Sequence, residues 1–159
     1  MLGNDTESEI GKTDEGKPYL AGRSEKISLS HSGNYAAVII SKNTETGVDI
    51  ELISERIFRI AHKFVNESER EMLLSDKDME TLYVIWSSKE VLFKYHGFGA
   101  LDFRKHLRLT DLDRENGTLN GVIHKEDFKE EVPLRFKILG AYICTWVDHE
   151  RMRNEGMKE

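Results

Sequence analysis

Two short stretches of this chain carry side chains suited to handling phosphate: Gly47-Val-Asp-Ile-Glu51 and Trp86-Ser-Ser-Lys-Glu-Val-Leu-Phe-Lys94. In an extended strand, side chains two apart share a face. Asp49 and Glu51 therefore point the same way, while Val48, Ile50 and Leu52 are expected to point into a core. In a helix, residues four apart stack on one face, so Glu90 and Lys94 project together. Three hard oxygen donors suit Mg²⁺ or Mn²⁺, which keeps waters and completes its shell with substrate phosphate. The lysine is then free to face a phosphate oxygen whose charge grows as a phosphoanhydride bond breaks. Taken alone, the strand acids fit a solvated face, and Glu90 with Lys94 fits an ordinary helix salt bridge. Taken together they outline a phosphoryl-transfer site.

Positioning these groups requires a strand at 47–52 and a helix through 86–94, and the surrounding pattern predicts both. Lys26–Ser30 and Asn34–Ser41 read as strands joined by a tight turn at Ser30-His-Ser-Gly33, a hairpin ahead of the carboxylate strand. Ser54 is placed to cap a helix with Ile57, Ile60, Ala61 and Phe64 at three- and four-residue steps. Asn66 with Glu69 resembles a capping box. Asp78 caps the longest helix, which runs to about Tyr95 and ends at Gly97 and Gly99. The remainder is β-rich: Leu107–Thr110, Thr118–His124, Val132–Leu139 and Ala141–Asp148. The fold class that follows is α+β, an antiparallel sheet packed against a long helix. Residues 1–15 read as a polar arm, 16–148 as the domain, and 149–159 as a charged, frayed tail.

Bulk properties narrow the function. The chain has 159 residues, 38% hydrophobic and 33% charged, a globular balance. A net charge of −6 disfavours a general nucleic-acid role. No apolar run is long enough to span a bilayer, and the polar start is not a signal peptide. Cys144 is the single cysteine, which fits a reducing cytoplasm. Its apolar neighbours Tyr142, Ile143, Trp146 and Val147 mark it as a core thiol. The six histidines form no zinc pattern, and neither glycine-rich nucleotide loop is present.

The joint string, a Gly-Val-Asp-Ile-Glu strand followed by Trp-Ser-Ser-Lys-Glu-x-x-x-Lys-x-x-Gly, resembles the two signatures of the 4′-phosphopantetheinyl transferases. Val91 stands at their usually small Ala/Ser position. Gly16-Lys-Pro-Tyr19 and the Ser30-His-Ser32 turn resemble the larger, pseudo-two-fold subclass. The resemblance implies transfer of the phosphopantetheine arm of coenzyme A to a serine of an apo-acyl or peptidyl carrier protein. It implies that Asp49, Glu51 and Glu90 bind Mg²⁺ beside the coenzyme A pyrophosphate. Glu90, or a metal-bound water, would accept the serine proton, Lys94 would neutralise the pyrophosphate, and Lys89 would assist at its edge. Ser30 and His31 would meet the adenosine 3′-phosphate, with Lys17 close by. The bland readings are a turn histidine bonded to backbone for His31 and a solvated cation for Lys17.

In the larger subclass, a whole first lobe with basic residues for the 3′-phosphate precedes the Gly-Lys-Pro segment. Fifteen residues precede Gly16 here, with Lys12 their one cation, so that lobe is expected to be truncated or replaced by another subunit. Homo-oligomerisation is one such route. Arg56, Arg59 and Lys63 form a basic stripe on the helix after the carboxylate strand, a candidate dock for an acidic carrier. Arg104, Lys105 and Arg108 form a second patch. The rival expectation is a non-catalytic module that binds a carrier protein or coenzyme A. A metal-dependent phosphoanhydride hydrolase is a third.

Overall fold

A computed structural model describes residues 9–97 and 99–156. The order of elements is β1 (Ile10–Lys12), β2 (Pro18–Leu20), β3 (Lys26–Ser32), β4 (Tyr35–Ser41), β5 (Val48–Leu52), α1 (Ile57–Phe64), α2 (Glu67–Arg70), α3 (Met79–His96), β6 (Leu107–Asp113), β7 (Thr118–Lys125), β8 (Phe128–Leu139), β9 (Tyr142–Val147) and α4 (His149–Gly156). Two antiparallel sheets result, one ordered β1-β2-β3-β4 and one ordered β5-β9-β8-β7-β6. The mixed class predicted from the sequence is the one observed.

Helix α3 lies on the five-stranded sheet, against β5 and β9 above all. Leu82, Tyr83, Ile85, Val91 and Leu92 of α3 join Leu107, Leu119, Ile123, Leu134, Ile143 and Val147 of the sheet in one core. Asp78 starts the helix by accepting from the Thr81 N–H at 3.1 Å, and Gly97 ends it in the left-handed region at φ 101°. Close approach is what Gly47 provides. A Cβ there would stand 2.5 Å from the Val91 carbonyl oxygen.

Serine hydroxyls join the two sheets. β5 is the outer strand of its sheet, so its N–H groups on that side need other partners. Ser28, Ser30 and Ser32, alternate residues of β3, accept from the N–H groups of Val48, Ile50 and Leu52 at 3.1, 3.2 and 3.0 Å.

Several local expectations change. The hairpin forms, but β3 runs to Ser32, so Ser30 and His31 lie in the strand and not in the turn. Asn66 and Glu69 make the predicted capping box. Ser54 does not cap α1: Arg56 holds the N-cap position, and the Ser54 hydroxyl pairs with the Tyr83 hydroxyl at 3.1 Å. Ile10–Lys12, read as part of a polar arm, pairs with Pro18–Leu20 around a turn closed by Gly16 N–H to Thr13 O at 2.9 Å. The segment read as a frayed tail contains α4, whose first turn is tied by Arg151 N–H to Asp148 at 3.2 Å. Residues 1–8 of the arm and 157–159 of the tail lie outside the described residues.

Candidate active site

β5 and α3 bring the predicted residues to one face of the sheet. Asp49 is 3% exposed. Its Oδ1 accepts from the Lys94 ammonium at 3.0 Å and from the Ser30 hydroxyl at 2.9 Å. Lys94 also donates to the Val48 carbonyl at 2.9 Å, which fixes the far end of α3 against β5. The face that bears Asp49 and Glu51 is thus the one turned to α3. Val48 and Ile50, on the opposite face, are buried, whereas Leu52 is 39% exposed and does not enter the core.

Glu51 lies one repeat along the strand. Its two oxygens accept from the Trp86 indole N–H at 3.1 Å and from the Arg56 guanidinium at 3.2 Å. Burial raises its pKa, and Asp49 adds to the rise; the Trp86 hydrogen bond and the charges of Arg56 and Lys94 oppose it. Glu90 sits between Trp86 and Lys94 on α3. Burial first, then the charges of Asp49 and Glu51, push its carboxyl up to about 7 against the pull of Lys94. Asp49 is therefore close enough to both glutamates for its charge to oppose their ionisation. Among the described residues, no three of them are placed to hold a metal ion as they stand.

The donor set nevertheless fits a divalent cation. All three groups are hard carboxylate oxygens. Asp49 Oδ2 is buried and has no hydrogen-bond partner. A buried acceptor of that kind, beside two carboxylates whose charge is disfavoured, is a place where positive charge is favourable.

Other predicted residues are placed differently. Lys89 is wholly buried and turned away from these acids. Its ammonium donates to Glu69 and to the Phe103 carbonyl, each at 2.8 Å, and to the Phe64 carbonyl. Burial lowers its pKa and Glu69 draws it back up. It is a structural cation, because adjacent helix residues diverge by about 100°. Ser30 has its hydroxyl engaged by Asp49 and the Ile50 N–H, so it is a neighbour of the carboxylates and not a free phosphate ligand. His31 is exposed on β3, opposite Ala36 of β4. Lys17 pairs with Glu45, which Lys26 also reaches at 3.3 Å, and lies near Gly97 at the Lys94 end of α3.

Of the basic stripe, Arg59 and Lys63 are exposed on α1. Arg56, exposed as well, bridges Glu51 and the Tyr83 hydroxyl, the latter at 3.4 Å. A groove of about 410 Å³ lined by Arg56, Ile57, Arg59, Ile60, Tyr83 and Trp86 adjoins it. In the second patch, Arg104 donates to the His62 carbonyl at 3.4 Å. The Cys144 thiol, half-buried on β9, is raised by burial and by Asp49, the reverse of what a nucleophile needs. The hydrogen bonds of Ser30, Trp86 and Arg56 to the acids were not foreseen. For Trp86 a signal existed, since it precedes Glu90 by one turn on the same helix face.

The profile of the 4′-phosphopantetheinyl transferase superfamily matches residues 45–147, from the loop before β5 to the end of β9. The chain belongs to that superfamily. It is 29% identical over 138 residues to the 4′-phosphopantetheinyl transferase gsp of Aneurinibacillus migulanus, covering 84% of this chain and 55% of that protein. It is 31% identical over 98 residues to the 4′-phosphopantetheinyl transferase AcpT of Escherichia coli O157:H7, covering 58% of this chain and 50% of that protein. The chain spans about half the length of the curated relatives it matches. No described helix is long and apolar enough to cross a membrane.

Proposed function

We propose that the site transfers 4′-phosphopantetheine from coenzyme A to a serine of an apo-acyl or peptidyl carrier protein and releases adenosine 3′,5′-bisphosphate. The observation that carries this reading is the meeting of β5 and α3: Lys94 on Asp49, Trp86 on Glu51, and Glu90 between them with its pKa near 7. Superfamily membership and the named transferases among the relatives support it.

The serine hydroxyl attacks the β-phosphorus, a phosphorus–oxygen bond to it forms, and the bond to the bisphosphate oxygen breaks. Glu90 takes the serine proton. Lys94, paired with Asp49 one helical turn beyond Glu90, offsets the charge of the pyrophosphate. Asp49, Glu51 and Glu90 would hold Mg²⁺, with Mn²⁺ as a substitute. When bound, the ion supplies positive charge to the pyrophosphate oxygens. Lys17, beyond Lys94, and His31, exposed on β3, are proposed contacts for the 3′-phosphate.

The test is to incubate the chain with Mg²⁺, coenzyme A and apo-carrier and to weigh the carrier. A gain of one phosphopantetheine supports transfer. Coenzyme A cleavage without that gain indicates hydrolysis. Binding without either indicates a non-catalytic module, and both of these results reject the proposal.

A further inference from the structure

Across from Asp49 on the neighbouring strand stands Thr145: the two are direct partners in the β5–β9 pairing. Opposed residues of an antiparallel pair share a face, with Cβ atoms about 5 Å apart. Thr145 is wholly buried, and its Oγ1, like Asp49 Oδ2, has no hydrogen-bond partner. The other two such atoms among the described residues, Ser87 Oγ and Ser88 Oγ, belong to α3. Ile143 and Val147, which flank Thr145 on the same face of β9, are core residues. A valine at 145 would match its volume and continue that apolar row, yet the position carries a hydroxyl. Buried polar atoms are seldom left unpaired, and two facing orphans that do not bond each other point to one guest between them.

We propose that Thr145 is a positioning residue of the cation site, its hydroxyl holding a water of the ion that Asp49 Oδ2 binds. This rests on the cation reading above. Mg²⁺ and Mn²⁺ keep several waters when protein-bound, and hydrogen-bond partners of the bound shell tune affinity. Asp49 Oδ1 is already fixed by Lys94 and Ser30, so Oδ2 is the oxygen available to the ion. Thr145 supplies the neutral partner next to it.

The experiment measures binding of Mn²⁺ alone, by the electron paramagnetic resonance signal of the free ion, to the wild type and to Thr145→Val, Thr145→Ser and Asp49→Asn. Thermal melting of each metal-free protein is recorded in parallel. Thr145→Val should weaken Mn²⁺ binding roughly 10- to 100-fold. Its metal-free melting temperature should not fall, because the substitution removes an unpaired hydroxyl at constant volume. Thr145→Ser, which keeps the hydroxyl and loses the methyl group, should bind within a few-fold of wild type. Wild-type Mn²⁺ affinity in Thr145→Val alongside weakened binding in Asp49→Asn would overturn the role of Thr145 and leave the cation site standing. A wild type that binds no Mn²⁺ would overturn both.

Discussion

At the scale of single residues, Glu90 and Lys89 are neighbours in sequence with opposite roles. Glu90 carries a carboxyl raised from 4.5 to about 7, chiefly by burial. A raised carboxyl binds its proton more tightly in the folded state. Its contribution to stability is complete below pH 4.5 and is lost as pH rises through 7. Glu90→Gln should therefore abolish transfer yet raise metal-free stability at pH 8 by roughly 2–3 kcal/mol, with little change near pH 4.5. Urea unfolding at the two pH values checks this, and equal effects at both would remove the shift. Lys89 forms a wholly buried pair with Glu69. Lys89→Met should cost about 3–5 kcal/mol in urea unfolding by stranding the buried Glu69 charge, and adding Glu69→Gln should recover much of it. Motif reading sees the type and spacing of such residues, and so it singles out Asp49, Glu51, Glu90 and Lys94. It does not see which side of a packed helix meets the core, and so it sent Lys89 to the pyrophosphate.

At the scale of elements, what was legible depended on how local the cause is. The Asp78 cap, the Asn66–Glu69 capping box and the Gly97 stop are decided within a few residues, and each stands where the pattern put it. Ser54 pairs with Tyr83 from a distant helix, and β1 is a strand by virtue of its pairing with β2, so neither is readable from its own neighbourhood. The β5–α3 contact itself is sensitive to side-chain bulk. Gly47→Ala would drive a methyl group into the Val91 carbonyl, 2.5 Å away, and should cost about 1–3 kcal/mol in denaturant unfolding while lowering transfer. Wild-type stability there would show that the two elements slide apart freely. On α1, Arg59 and Lys63 are exposed members of the basic stripe, and changing them leaves the Arg56–Glu51 ion pair in place. Reversing both to Glu should raise KM for the carrier several-fold and leave KM for coenzyme A unchanged. An unchanged carrier KM would rule out docking on this helix.

At the scale of the molecule, the two sheets divide the work. The five-stranded sheet with α3 carries the acids and Lys94, and the family match at residues 45–147 spans every strand of that sheet and α3. The four-stranded sheet reaches it through the Ser28, Ser30 and Ser32 hydroxyls, the middle one of which also holds Asp49. It brings His31 and Lys17 to the molecule from outside the motifs. If acids, cation and Lys94 form one seat for a pyrophosphate, coenzyme A and the ion must strengthen each other's binding, because linkage is reciprocal. Calorimetric titration of coenzyme A into the chain, with Mg²⁺ and then with EDTA, measures that coupling. Binding that tightens at least tenfold with Mg²⁺ in the wild type, and loses the gain in Asp49→Asn and Glu90→Gln, is the predicted result. Coenzyme A binding of equal strength with and without Mg²⁺, untouched by either substitution, would contradict it.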